Sequence, residues 1–386
     1  MSKVRSAARI FADHGLPGLA RRVVQKLRGA RPAPAPVPRG VRAEPASVDL
    51  AGENATPAVP DPASAPAPRL PDSISIPVVS EPAPCPPESV AVAAEPPVAE
   101  PSPTAPLTVT PEEIARGQRE FEERYAAFRT RCAELGHTGV EHYYWYHTVD
   151  LGDGLVTPGS YDYRPQLANF GFPEDMTGMR VLDVGSATGY FAFEFERRGA
   201  EVVSVELPSL GDWDIISSER EYIVRQLMTA LHADSPEQAH DRCLPGPFRF
   251  CQAVLGSKVR RCYSTVYDLT EAKTGGKFDL VYAGDIVMHL FSPFEAFDVL
   301  SNLTRGALMT TIEAPFPVEA DEPLLAFRGY LYGKEEGRTW WLYNRAAVRH
   351  MLLRLGFSAV EVVGQYSGLS CDRWFPYRRE VIRATR

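Results

Sequence analysis

The chain has 386 residues, 44% of them hydrophobic, and 41 Lys and Arg against 49 Asp and Glu give a net charge of −8. That length suits one large domain or two ordinary ones, and no apolar run reaches the ~18 residues of a membrane span, nor is there a signal-peptide core. The acidic balance weighs against extensive phosphate contact, and six cysteines without a C-x-x-C pair or a metal-like cluster read as reduced thiols of a cytoplasmic protein.

Residues 1–31 carry eight Lys or Arg and one acid, for +7. Ile10, Phe11, Leu16, Leu19, Val23, Val24 and Leu27 lie among Arg9, Arg21, Arg22, Lys26 and Arg28, with Gly15 and Pro17 splitting the segment into two short helices. A basic amphipathic segment suits peripheral docking on an anionic membrane surface or on a partner protein; a solvated terminus is the plain alternative. Residues 32–111 contain 22 of the 35 prolines and a net charge of −6, so 32–107 is expected to be a disordered Pro/Ala-rich linker, unable to bury a core. Residues 111–135 have helical spacing, opened by Pro111 and carrying Phe121, Tyr125 and Phe128. Tyr143, Tyr144, Trp145 and Tyr146 follow, flanked by His142 and His147. They read either as a strand on a sheet edge or as a cap over a ligand. Residues 108–160 are thus a helical and aromatic cap segment, and 161–386 the main domain.

Arg180 to Val184 is an apolar strand, Gly185-Ser186-Ala187-Thr188-Gly189 a tight turn, and Tyr190 to Arg198 a helix with Phe191, Phe193 and Phe195 as bulk. Glu201 to Val205 is a second strand that ends on Glu206. Strand, glycine turn, helix and strand ending in an acid make a nucleotide-binding half of a doubly wound sheet, where the acid can accept from both ribose hydroxyls. An NAD site or an unliganded βαβ unit would share that outline. The pattern from Asp183 to Gly189 resembles the first motif of the class I S-adenosylmethionine (SAM) methyltransferases, D-x-G-x-G-x-G, with Ala187 where the middle glycine is common. Alanine is expected to keep a negative φ there.

Later segments follow in the same order. Tyr222 to Leu231 reads as a helix, Cys243 to Pro247 as a loop and Phe248 to Leu255 as another helix, an insertion that adds wall to an acceptor pocket. Val266-Tyr267-Asp268-Leu269 stands where the family holds adenine with an acid and an apolar residue. Phe278 to Ala283 is an apolar strand leading into Gly284-Asp285-Ile286-Val287-Met288-His289-Leu290, at the edge where ligands bind in such sheets. Pro293 to Leu303 reads as a helix, Ala307 to Glu313 as a strand, Asn344 as the N-cap of a helix over Arg345 to Leu355 stopped by Gly356, and Phe357 to Val363 as a strand. The long connection from Ala314 to Trp341 carries Arg328, Tyr330, Tyr332, Lys334, Arg338, Trp340 and Trp341, and such loops are often functional. Alternating strands and helices predict an α/β fold. The resemblance implies the doubly wound, mainly parallel seven-stranded Rossmann-like sheet of class I methyltransferases.

Upstream, Trp145 to Thr148, Asp150 to Gly154 and Thr157-Pro158-Gly159 look like the opening segment of a methyltransferase group related to the tRNA wobble-uridine carboxymethyltransferases. Arg197 to Ala200 and His289-Leu290 also fit, and the likeness covers about residues 140–380. The Lys-Gly-Pro-Phe segment of the wobble-uridine enzymes has no match, which weighs against carboxy-SAM and against tRNA. The resemblance implies SAM as cofactor, held by Asp183, Gly185, Ser186, Ala187, Gly189, Tyr190, Glu206, Asp268, Leu269 and Gly284. SAM brings an activated methyl group, so the protein aligns a nucleophile and helps remove its proton. His289, just past the fourth strand, is the first candidate base and His147 the second; each could instead be a packing residue. Asp285 and Glu313 could orient an acceptor. No metal motif is present. The expected activity is methyl transfer to a small molecule or glycan, at oxygen. A tRNA-modifying enzyme and a non-catalytic SAM-fold scaffold are the alternatives.

Overall fold

A computed structural model describes residues 110–316, 320–329, 339–372 and 376–386. The expected docking segment 1–31 and linker 32–107 lie outside these residues, as do Tyr330, Tyr332, Lys334 and Arg338. No helix among the described residues is long and apolar enough to cross a membrane.

Helix α1 (Pro111–Glu134) opens on a capping box. Thr110 Oγ1 accepts the Glu113 N–H at 3.2 Å, and Glu113 Oε2 accepts the Thr110 N–H at 2.8 Å. The central run is β1 (Arg180–Val184), α2 (Tyr190–Arg197), β2 (Glu201–Glu206), α3 (Ser217–Ala230), α4 (Pro236–Cys243), α5 (Pro245–Leu255) and β3 (Arg260–Tyr263). After it come α6 (Glu271–Thr274), β4 (Phe278–Ala283), α7 (Pro293–Leu303) and β5 (Thr304–Glu313). The chain closes with β6 (Leu325–Phe327), β7 (Trp341–Tyr343), α8 (Arg345–Arg354), β8 (Ala359–Leu369) and β9 (Pro376–Thr385).

Seven strands form one sheet in the order β3-β2-β1-β4-β5-β9-β8. The first five are parallel, and β9 and β8 pair antiparallel at the far side. The chain order reverses between β1 and β4, which opens a crevice beyond their C-terminal ends. Both faces are covered. Val181, Val202, Leu280, Tyr282 and Met309 pack under Phe191, Phe195 and Phe248, while Leu182, Val203, Val281 and Leu308 pack under Phe297, Leu300, Val348 and Leu352. Burial on both faces explains why the parallel strands read as unbroken apolar runs.

Several expectations need correction. The aromatic segment from 142 to 147 forms no strand; it is held by isolated bridges, His147 to Tyr161 and Asp150 to Val156. Residues 243–247 are not a loop, because α4 and α5 abut at Leu244. Pro236 and Pro245 each occupy a first helical turn, where a missing N–H costs nothing. The last expected strand is displaced to Ala359–Leu369, and β9 pairs beside it. By contrast α7 spans Pro293–Leu303 as its pattern predicts, and Asn344 caps α8 by accepting the Ala347 N–H at 2.8 Å.

Candidate active site

The turn after β1 is threaded through a narrow space. Gly185 (φ 74°) and Gly189 (φ 95°) both have left-handed backbone. A methyl group on Gly185 would overlap Ile286, and one on Gly189 would stand 2.7 Å from the rings of Phe193 and Phe248. Only glycine meets both demands. Ala187 also departs from expectation: its φ is +47°, not negative. That conformation, uncommon for a side-chain-bearing residue, turns its N–H to Glu206, whose Oε2 accepts it at 2.9 Å. Glu206 Oε1 accepts the Leu207 N–H at 3.0 Å. The carboxylate at the end of β2 therefore shapes the turn.

Arg261 was not anticipated from sequence. It stands opposite Ser204 on the neighbouring strand, donates to Ser204 Oγ at 2.8 Å and to Ser186 Oγ, and lies 4.1 Å from the Phe248 ring centroid. Its Nη2 is 3.6 Å from Glu206 Oε2, and both side chains are buried. Burial lowers its pKa, and the Glu206 carboxylate opposes that shift. The available signal was an Arg-Arg pair inside a strand whose alternate positions face inward.

Asp183 lies under the same turn, 1% exposed, and its Oδ2 has no hydrogen-bond partner. Burial pushes its carboxyl up to about 7, against the opposing pull of Arg261. A carboxyl raised above its unfolded value of about 3.9 takes up a proton on folding. The stability it contributes is present below pH ~4 and lost as pH rises through about 7. Thermal melts of the wild type and of Asp183→Asn should therefore diverge across that window, the wild type losing Tm relative to the variant as pH rises. A pH-independent difference would contradict the assignment.

The aromatic segment is tied to this turn. Thr188 Oγ1 accepts the N–H groups of Tyr146 at 3.0 Å and His147 at 3.2 Å. The His147 ring is 4% exposed and packs against Tyr146, Tyr163, Tyr190 and Phe191, with ring centroids 4.8–6.0 Å away. Burial lowers its pKa to about 3 despite the nearby Asp285 carboxylate, and its Nδ1 has no partner. Tyr190 is buried in the same cage.

Across the crevice, Asp285 follows β4 and Gly284 with φ +52°. Its carboxylate accepts from Thr311 at 2.8 Å, Tyr366 at 3.1 Å and Arg379 at 2.7 Å, so β5, β8 and β9 converge on it. Arg379 also stands 3.8 Å from Glu313, which accepts from Arg328 at 2.9 Å. Together the Arg379 charge and these hydrogen bonds hold the Asp285 carboxyl below its usual range in spite of burial. His289 ends a short 3₁₀ turn, Val287–His289, and is exposed. Of the pair expected to hold adenine, Asp268 is exposed and accepts from Thr265 at 2.6 Å, while Leu269 is buried in the core with Val205 and Cys262. Ser186, Ala187, Glu206 and Arg261 are thus one connected group, and Asp183 is buried within the reach of its charges. His147 and Tyr190 are buried in the aromatic cluster beside it, Asp285 is half-buried after β4, and His289 and Asp268 are exposed. Among the described residues no group of three or more His, Cys, Asp or Glu could hold a metal.

A family model described as a methyltransferase domain matches residues 160–362. A tRNA U34 carboxymethyltransferase of Idiomarina loihiensis is 26% identical over 190 residues, 49% of this chain and 49% of that protein. A magnesium-protoporphyrin O-methyltransferase of Rhodobacter capsulatus is 51% identical over 41 residues, 10% of this chain and 18% of that protein. The chain spans about half the length of the first of these curated relatives and less of the second. Among solved structures, magnesium protoporphyrin IX methyltransferase of Synechocystis PCC 6803, with bound SAM, aligns over 55% of this chain and 71% of its own at 15% identity and a TM-score of 0.33.

Proposed function

Because the chain belongs to the family of methyltransferase domains, of the class I SAM-dependent kind, we propose that it transfers a methyl group from SAM to a hydroxyl of a small molecule or glycan. The residues present fit the cofactor. Glu206 has two of its roughly four lone-pair sites occupied by backbone N–H groups, which leaves acceptors for two ribose hydroxyls. Asp183 offers a buried carboxylate oxygen without a partner, suited to the polar end of the methionine moiety. When bound, SAM supplies a methyl group already activated on a sulfonium. The chain's own residues then have three tasks. Thr188 fastens the aromatic segment over the turn and keeps water out. Asp285, fixed by Thr311, Tyr366 and Arg379, orients the acceptor. His289 takes the hydroxyl proton.

The observation that carries the small-acceptor reading is the packed, uncharged aromatic cluster of Tyr146, His147, Tyr163 and Tyr190 beside the glycine turn, which offers apolar surface rather than cations for a nucleic-acid phosphate. The wobble-uridine reading has one observation in its favour, the relative from Idiomarina loihiensis. Titration calorimetry of the full chain with SAM and with carboxy-SAM separates the readings. Binding of SAM alone is expected. Preference for carboxy-SAM would favour the tRNA reading, and binding of neither would leave a scaffold. Methyl-labelled SAM offered with pools of small hydroxylated molecules, glycans or tRNA then reads out the acceptor class.

A further inference from the structure

Helix α4 belongs to the insertion between β2 and β3. It packs on the short turn Leu210–Asp212 that leaves Glu206, and its Ala239 and Cys243 share an apolar cluster with Ala187 of the glycine turn. This places one face of α4 directly against the nucleotide side of the crevice. His240 stands on this helix, between those two packing residues. It is 7% exposed, and neither ring nitrogen has a hydrogen-bond partner. An imidazole with both nitrogens buried and unpaired costs free energy unless something completes it. The charges that act on it are those of Glu206, Asp241, Arg261 and Asp212. Burial lowers the His240 pKa, so the ring is neutral near pH 7 and offers one N–H donor and one acceptor.

We propose that His240 completes the adenosine subsite, hydrogen-bonding a ribose hydroxyl of the cofactor beside Glu206. A carboxylate can only accept, so Glu206 would accept from both hydroxyls and leave the hydroxyl oxygens with free lone pairs. A neutral imidazole N–H supplies the donor those oxygens lack. The same contact gives the insertion a role in cofactor selection rather than in the acceptor wall alone. Arg261, the cation nearby, already donates through one terminal nitrogen to Ser186 and Ser204 and lies on the Phe248 face, while its Nε is buried without a partner.

This inference rests on the SAM reading, and calorimetry on the full chain tests the two apart. The ligands are S-adenosylhomocysteine and its analogues lacking the 2′- or the 3′-hydroxyl. Failure of the wild type to bind S-adenosylhomocysteine would overturn the cofactor reading itself. Given binding, His240→Ala is expected to weaken it about tenfold with an unchanged Tm, and to reduce the penalty for removing one hydroxyl. His240→Gln, which keeps a donor and an acceptor, should recover most of the loss and serves as the second variant if alanine disturbs folding. Wild-type affinity in a folded His240→Ala chain would overturn the inference. So would a loss that leaves the discrimination against both deoxy analogues intact.

Discussion

Alanine at position 289 is expected to lower kcat by about 10²–10⁴-fold, the usual range for a general base, with SAM affinity unchanged. The expectation follows from comparing the two candidate histidines. His147 is enclosed by aromatic rings, and burial holds its pKa near 3. A base so far below the operating pH has little driving force for accepting a proton. His289 is exposed at the end of the turn that follows β4, with its backbone N–H donated to Ile286 O at 2.9 Å. The flanking residues are braced from outside: Met288 O accepts the Trp340 N–H at 2.8 Å, and Asp214 accepts from Tyr267 and from the Phe291 N–H, each at 2.6 Å. The turn carrying His289 is therefore fixed, and the residue itself is exposed. Steady-state kinetics of the two alanine variants decide the matter. Full activity in His289→Ala with a large loss in His147→Ala would exchange their roles. Loss of SAM binding in His289→Ala would move it to the cofactor side.

Glu206→Ala is expected to weaken SAM binding by about 100-fold or more. Each charge-assisted hydrogen bond contributes roughly 1.5–3 kcal/mol, and about 1.4 kcal/mol is a factor of ten. From sequence alone the carboxylate serves only the ligand, so folding should be spared. The structure changes that expectation. Removing it strips the Ala187 N–H of its acceptor and leaves the buried Arg261 without its counter-charge. Stranding a buried charge costs about 3–5 kcal/mol, and Arg261 keeps Ser186, Ser204 and Phe248, so the lower end applies. The alanine variant should therefore lose Tm as well as affinity. Glu206→Gln keeps an oxygen for the Ala187 N–H, and should retain more of the Tm while still binding SAM weakly. Calorimetry and thermal melts on the same samples check both statements; unchanged affinity in folded Glu206→Gln and Glu206→Ala would remove Glu206 from the cofactor site.

What the sequence determined by itself is local. The strand-turn-helix-strand run from Arg180 to Glu206 was legible because apolar runs, two glycines and a terminal acid act over a few residues. The bounds of α7 and the Asn344 cap were legible for the same reason, since a proline at the first turn and a side-chain acceptor need no distant partner. Tertiary structure alone decided the rest. Ala187 adopts positive φ because Glu206, 19 residues on, accepts its N–H. Arg379 reaches Asp285 across 94 residues, and β9 exists because β5 and β8 offer it edges on both sides. The pattern of β9, Pro-Tyr-Arg-Arg-Glu-Val-Ile-Arg-Ala-Thr, mixes charges into a buried strand and hides its alternation. Those charges are tolerable only because Glu380 meets Arg345, and Arg379 meets Asp285, after the chain has closed. A buried charge is stable only beside its counter-charge, and no local rule can supply a partner that the fold alone brings near.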